Sequence, residues 1–83
     1  MKLLVYFFAS YRERAGCSKV ELETDQGATV GDVLFKLRQL YPDLAPREVN
    51  IVASLNEEFA HPDQEVSEGD EIALIPPVSG GEK

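Results

Sequence analysis

Apolar positions recur along this chain with two different periods, and each period implies an element. Residues 2–9 (KLLVYFFA) are apolar on both alternating faces: Leu3, Val5 and Phe7 point one way, Leu4, Tyr6 and Phe8 the other. A run so rich in aromatic and branched side chains on both faces predicts a strand inside a sheet rather than at its wet edge, with one face on the helix and the other left as an apolar patch. Residues 19–24 (KVELET) alternate polar and apolar, which predicts a half-exposed strand. From Val30 the period lengthens, and Val30, Val33, Leu34, Leu37 and Leu40 form one helical stripe. Residues 49–55 (VNIVASL), 58–60 and 71–75 then predict three further strands, the middle one short.

Local signals punctuate these elements. Ser10 and Glu13 stand at the spacing of a capping box with Gly16 as a stop, predicting a short helical turn after the first strand. Thr29 and Asp32 have the cap and third positions of the main helix, which Tyr41-Pro42 should end, since the residue before proline avoids helical geometry. Asp25-Gln26-Gly27, Asn56-Glu57 and Glu68-Gly69-Asp70 read as turns, and Pro76-Pro77 as the end of the last strand. One amphipathic helix must bury its stripe against one face of a mixed sheet of four or five strands, with the apolar first and last strands adjacent at its centre. This is the α+β order of a β-grasp, or ubiquitin-like, fold. The expected organisation is one domain over residues 1–77 and a flexible tail over 78–83.

Composition narrows the functions open to such a domain. The 83 residues carry a net charge of −7. From size alone a chain of this length buries about 60% of its unfolded surface, an adequate but small core with little room for a buried catalytic cleft. Residues 1–47 hold seven basic and six acidic groups, whereas residues 48–83 hold one basic group and nine acidic ones. The second half is therefore an anionic surface that either attracts a basic partner or serves solubility, and the balance argues against nucleic acid. A single cysteine, Cys17, excludes a disulfide framework and any cysteine-held zinc or iron–sulfur site within one chain. His61 has no companion ligands or triad partners in the pattern, the acids are scattered over turns, and no glycine-rich phosphate loop occurs. Although Lys2 and the apolar run after it mimic a short signal sequence, Arg12, Glu13 and Arg14 follow at once, so the strand reading is preferred. No other apolar run approaches spanning length, and a cytoplasmic protein is expected.

What remains is the C-terminus, Pro76-Pro77-Val78-Ser79-Gly80-Gly81-Glu82-Lys83. Two prolines stiffen the exit from the sheet, and an extended Val78–Gly81 reaches roughly 13 Å further. A strip of small residues and glycines either frays or threads a narrow channel in another protein. Physics alone favours the frayed terminus.

A resemblance bears on this choice. Val5-Tyr6-Phe7-Phe8-Ala9 with Arg12-Glu13, Thr29-Val30, Leu55-Asn56-Glu57-Glu58-Phe59, and the stretch from Gly69-Asp70-Glu71-Ile72-Ala73-Leu74-Ile75 through Pro76-Pro77-Val78-Ser79-Gly80-Gly81 resemble the MoaD family of ubiquitin-like sulfur carriers, the small subunits of molybdopterin synthase. The last stretch is the most specific. The resemblance implies that a MoeB-like enzyme adenylates the terminal glycine with ATP and that a sulfur then displaces AMP, leaving a thiocarboxylate. A MoaE-like large subunit would receive this tail and use its sulfur to build molybdopterin from cyclic pyranopterin monophosphate, in a heterotetramer. By the same resemblance Gly81 bears the sulfur, with Gly80 beside it. Phe8, Phe59 and Ile75, with Pro76, Pro77, Val78 and Ser79, would contact partners; as a sequence, Phe8 and Ile75 also fit a core role. The carrier would be no enzyme in itself and bind no cofactor or metal, leaving catalytic side chains to the partner.

One departure matters. In the family's active form the second glycine ends the chain, whereas Glu82 and Lys83 follow Gly81 here. An amide carbonyl offers the activating enzyme no carboxylate, so either a tail-trimming protease removes the dipeptide or the extension disables this copy, and trimming is the preferred reading. Rival readings are a carrier for thiamine or tRNA thiolation, a protein conjugated to lysines, and a β-grasp interaction module without acyl chemistry. A ferredoxin is excluded because Cys17 lacks companions.

Overall fold

The first and last strands are too apolar to face water on both sides, and their pairing sets the architecture. In the computed structural model, which describes residues 1–46 and 49–76, β1 (Lys2–Phe7) and β5 (Glu71–Ile75) run parallel, with Val5 opposite Ile72 and Phe7 opposite Leu74. β2 (Lys19–Glu23) pairs antiparallel with the outer side of β1, and β3 (Val52–Leu55) with that of β5. β4 (Glu58–Phe59) adds a two-residue edge to β3, giving the order β2-β1-β5-β3-β4. The helices are α1 (Ala9–Ala15) and α2 (Val30–Leu40). This is the mixed five-stranded sheet of the β-grasp fold.

Alternation in β1 and β5 delivers Leu3, Val5, Phe7, Ile72 and Leu74 to one face, where they are fully buried together with Val30, Val33 and Leu37 of α2. The N-terminus of α2 is held from several sides. Thr29 accepts from the Asp32 N–H while Asp32 accepts from the Thr29 N–H, the capping box the sequence implies. The next two amides have no partner in their own helix, and donate to loop carbonyls: Val30 to Gln64 at 2.8 Å and Gly31 to Pro62 at 2.7 Å. A side chain at Gly31 would meet that Pro62 carbonyl at 3.1 Å, so the close approach favours glycine.

The structure corrects several boundaries. The first strand stops at Phe7, and α1 begins at Ala9 with Phe8, not Ser10, in the cap position and without a side-chain bond. The Phe8 N–H still donates to Leu74 in the sheet while its carbonyl already accepts from Tyr11, so no spacer separates strand from helix. Gly16 does stop α1, at φ 82. The strand expected at residues 49–55 is only Val52–Leu55. Before it, Arg38 collects the carbonyls of Ala45, Pro46 and Val49, bonds incompatible with a regular ladder there. Leu40, expected on the buried stripe, is exposed; the loop beyond the helix turns back and buries Leu44 instead. Strand ends at 24 and 60 each retreat by one residue, although the Ala60 N–H still reaches Ala53. Pro77, Val78, Ser79, Gly80, Gly81, Glu82 and Lys83 lie outside the described residues.

Candidate functional site

The sheet face opposite α2 presents the side chains that alternation turns away from the core. Along one row, Tyr6 of β1 neighbours Ala73 of β5, which pairs with Ser54 of β3, which pairs with Phe59 of β4. The next row holds Ile75 paired with Val52, and Phe8 follows Phe7, the partner of Leu74, so it stands beside Ile75. Phe8, Ile75, Val52 and Phe59 are 47%, 48%, 43% and 67% exposed, values high enough to make them surface rather than core. Together they form an apolar strip across the sheet. Chain geometry places it where β5 runs out into Pro76.

The resemblance-derived residues are thus brought together unequally. Phe8 and Ile75 adjoin, whereas Phe59 stands two strands from β5, beyond β3, with its ring edge-on to His61 at 5.3 Å. Val52, which sequence reasoning did not single out, lies in the Ile75 row and links the two ends. Its signal was present: alternation with the buried Ile51 and Ala53 already turned it outward. Beside Phe8 a depression of about 220 Å³ is lined by Tyr6, Ser54, Glu57, Glu71 and Ala73, so two acids rim the apolar surface. Lys19 sits over the Tyr6 ring at 5.9 Å.

The last described residue, Pro76, borders a second hollow with Ser10, Tyr11, Arg14, Ala45, Pro46 and Val49. Arg14 donates to the Leu44 carbonyl at 3.2 Å, and Arg38 binds three carbonyls between 45 and 49, so both helices grip the loop that walls this hollow. Tyr11 is buried there with no hydrogen-bond partner for its hydroxyl among the described residues. Burial pushes its pKa up, against the pull of Arg38 and Arg14. Tyr41, raised first by burial and then by Cys17, lies 4.0 Å from that half-buried thiol. No cluster of three or more metal-ligating side chains occurs among the described residues, and no helix among them is long and apolar enough to cross a membrane.

Comparison with known proteins gives this geometry relatives. A family model described as the ThiS family matches residues 5–81. The molybdopterin synthase sulfur carrier subunit of Chlamydomonas reinhardtii is 39% identical, over 98% of this chain and 100% of its own. Small archaeal modifier protein 3 of Haloferax volcanii is 36% identical over 98% of this chain and 100% of its own. Among solved structures, SAMP1 of Haloferax volcanii superposes with a TM-score of 0.87 at 36% identity, covering 98% of this chain and 100% of that one.

Proposed function

The chain belongs to the ThiS family, alongside the molybdopterin synthase sulfur carrier subunits, and on that premise we propose that it carries sulfur on Gly81 to a molybdopterin synthase large subunit. The family match ends at residue 81, the second glycine, and this is the observation that carries the reading. The chemistry needs a carboxylate there, so a protease must first remove Glu82 and Lys83. A MoeB-like enzyme then joins the Gly81 carboxylate to the α-phosphorus of ATP, releasing pyrophosphate. A sulfur nucleophile attacks the acyl carbon and expels AMP, leaving a thiocarboxylate. Glycine has no β-carbon to hinder attack, and Gly80 extends the same narrow strip.

In the large subunit the thiocarboxylate sulfur passes to cyclic pyranopterin monophosphate. The catalytic side chains there are the partner's, and this chain's contribution is delivery. Phe8, Val52, Ile75 and Phe59 supply the apolar contact, with Pro76, Pro77, Val78 and Ser79 leading the diglycine into the partner's pocket. Glu57 and Glu71 at the margin suit a basic rim on that partner. ATP belongs to the activating enzyme, the carrier itself holds no cofactor, and the pathway places it in the cytoplasm.

The test is direct. Chains ending at Gly81 and at Lys83 are incubated with the adenylating enzyme, ATP and sulfide, and weighed by intact-mass spectrometry. Only the shorter chain should exchange one oxygen for sulfur. Sulfur on neither, with an enzyme active on a control carrier, would overturn the proposal. The likeness to a small archaeal modifier protein favours a second reading, in which the activated Gly81 also forms amide bonds with lysines of other proteins. Gly81-derived remnants on lysine side chains in trypsin digests of cell extracts would establish it.

A further inference from the structure

Several acids in the second half of the chain have partners within the fold. Asp70 accepts from the Ser67 N–H with one carboxylate oxygen, at 2.7 Å, and from the Asn56 side-chain amide with the other, at 3.1 Å. Glu68 accepts from the Lys2 N–H at 3.0 Å. The carboxylates of Glu57 and Glu71 have no such partner among the described residues, yet both line the depression beside Phe8.

One corner of the backbone positions both of these acids. The Asn56 N–H donates to the Glu71 carbonyl at 2.8 Å, and the Glu71 N–H donates back to the Asn56 side-chain oxygen at 3.0 Å. The turn that carries Glu57 is thereby tied to the first residue of β5. Glu57 itself has φ 73, where glycine would be more stable, so the turn keeps a carboxylate there at a conformational cost. Lys19 stands over the Tyr6 ring at 5.9 Å, but from β2, on the far side of β1 from Glu71. No lysine or arginine of this chain lines the depression.

Size and lining together select the occupant. About 220 Å³ is the space of roughly seven waters, below the range of small-molecule pockets but enough for one long side chain. Tyr6, Phe8 and Ala73 give it apolar walls, while Glu57, Glu71 and the Ser54 hydroxyl supply acceptors. An arginine matches both parts, with an apolar stem for the walls and a planar head whose N–H groups serve two carboxylates at once. We propose that the depression takes a single arginine side chain from the protein that covers the apolar strip, its guanidinium lodged between Glu57 and Glu71. On the sulfur-carrier reading, from which this identification of the partner follows, that protein is the molybdopterin synthase large subunit. Because the two acids are held in place before binding, the arginine fixes how the strip seats on its partner.

The test has one arm without the partner and one with it. Nα-acetyl-arginine amide is titrated into the isotope-labelled full-length chain at constant ionic strength, beside the uncharged citrulline counterpart. Amide resonances of Tyr6, Ser54, Glu57 and Ala73 should shift and saturate with the arginine compound alone. No shift, or an equal response to citrulline, would overturn the proposal. In calorimetry with the large subunit, Glu57→Gln and Glu71→Gln in the chain ending at Gly81 should each weaken binding about tenfold. Glu57→Gly should weaken it similarly while raising the unfolding midpoint, a combination that damaged folding cannot imitate. Full affinity in both glutamine variants would also overturn the proposal. A parent chain that fails to bind the large subunit at all would sink the sulfur-carrier reading instead, and the arginine titration would still decide whether the depression is a cation site.

Discussion

Single residues carry much of what distinguishes this surface from an ordinary β-grasp domain. Ile75 stands nearly half in water at the end of a strand whose neighbours Ile72 and Leu74 are fully buried. An Ile75→Asp or Phe59→Asp variant should therefore fold normally, with stability within about 0.5 kcal/mol of the parent. Each should lose about 2 kcal/mol or more of affinity for the large subunit by calorimetry, because a charge enters an apolar contact unpaired. Retained affinity would remove that residue from the interface. Tyr11 makes a different case, since its hydroxyl is buried without a partner among the described residues. Tyr11→Phe should be at least as stable at pH 7, by up to about 1 kcal/mol in urea unfolding, because a desolvated group is removed. The parent should show an alkaline weakness. The folded state holds the Tyr11 and Tyr41 protons more tightly than the ordinary value of 10.0, so this stability is intact below that pH and is lost as pH rises through the folded values. The Phe variant should lose less over the same range, and an identical alkaline profile would contradict the assignment.

Elements were legible in proportion to how local their causes are. The capping box at Thr29 and Asp32, the Asn56-Glu57 turn and the limits of β5 follow from neighbouring side chains, and they could be read directly. The start of α1 could not, because Phe8 is fixed by its bond to Leu74, a strand distant in sequence. Nor could the loss of residues 49–51 from β3, which depends on Arg38 reaching back across the loop, or the burial of Leu44, which no periodicity marks. Of the candidate site, the Phe8–Ile75 pairing was legible through alternation, whereas the bridging role of Val52 required the register of β3 on β5. Two variants test these devices. Asn56 and Glu57 both have positive φ, 51 and 73, the geometry in which asparagine–glycine is preferred. Glu57→Gly should raise stability by about 0.5–1 kcal/mol, read from the unfolding midpoint. Arg38→Ala should cost roughly 1–3 kcal/mol and speed hydrogen exchange at Leu44, whose loop it holds beside Pro76.

At the scale of the whole molecule, the fold is a small rigid mount with its charge at one end of the sequence. Nine of the fifteen acids fall after residue 47, where β3, β4 and β5 build the apolar strip and its margin. If the large subunit carries the basic rim proposed for it, association should be steered. Raising salt from low to about 0.5 M should slow the on-rate about tenfold in stopped-flow mixing while changing dissociation little, since exposed charges are screened within a few ångströms. An on-rate indifferent to salt would leave the acids with solubility alone. The central claim, that the mount exists to deliver what Gly81 carries, is tested most directly by reconstitution with purified large subunit and cyclic pyranopterin monophosphate. Chain bearing a thiocarboxylate at Gly81 should yield molybdopterin in proportion to the sulfur supplied. Chain ending at Gly81 in an ordinary carboxylate should yield none, and equal product from both would contradict the account.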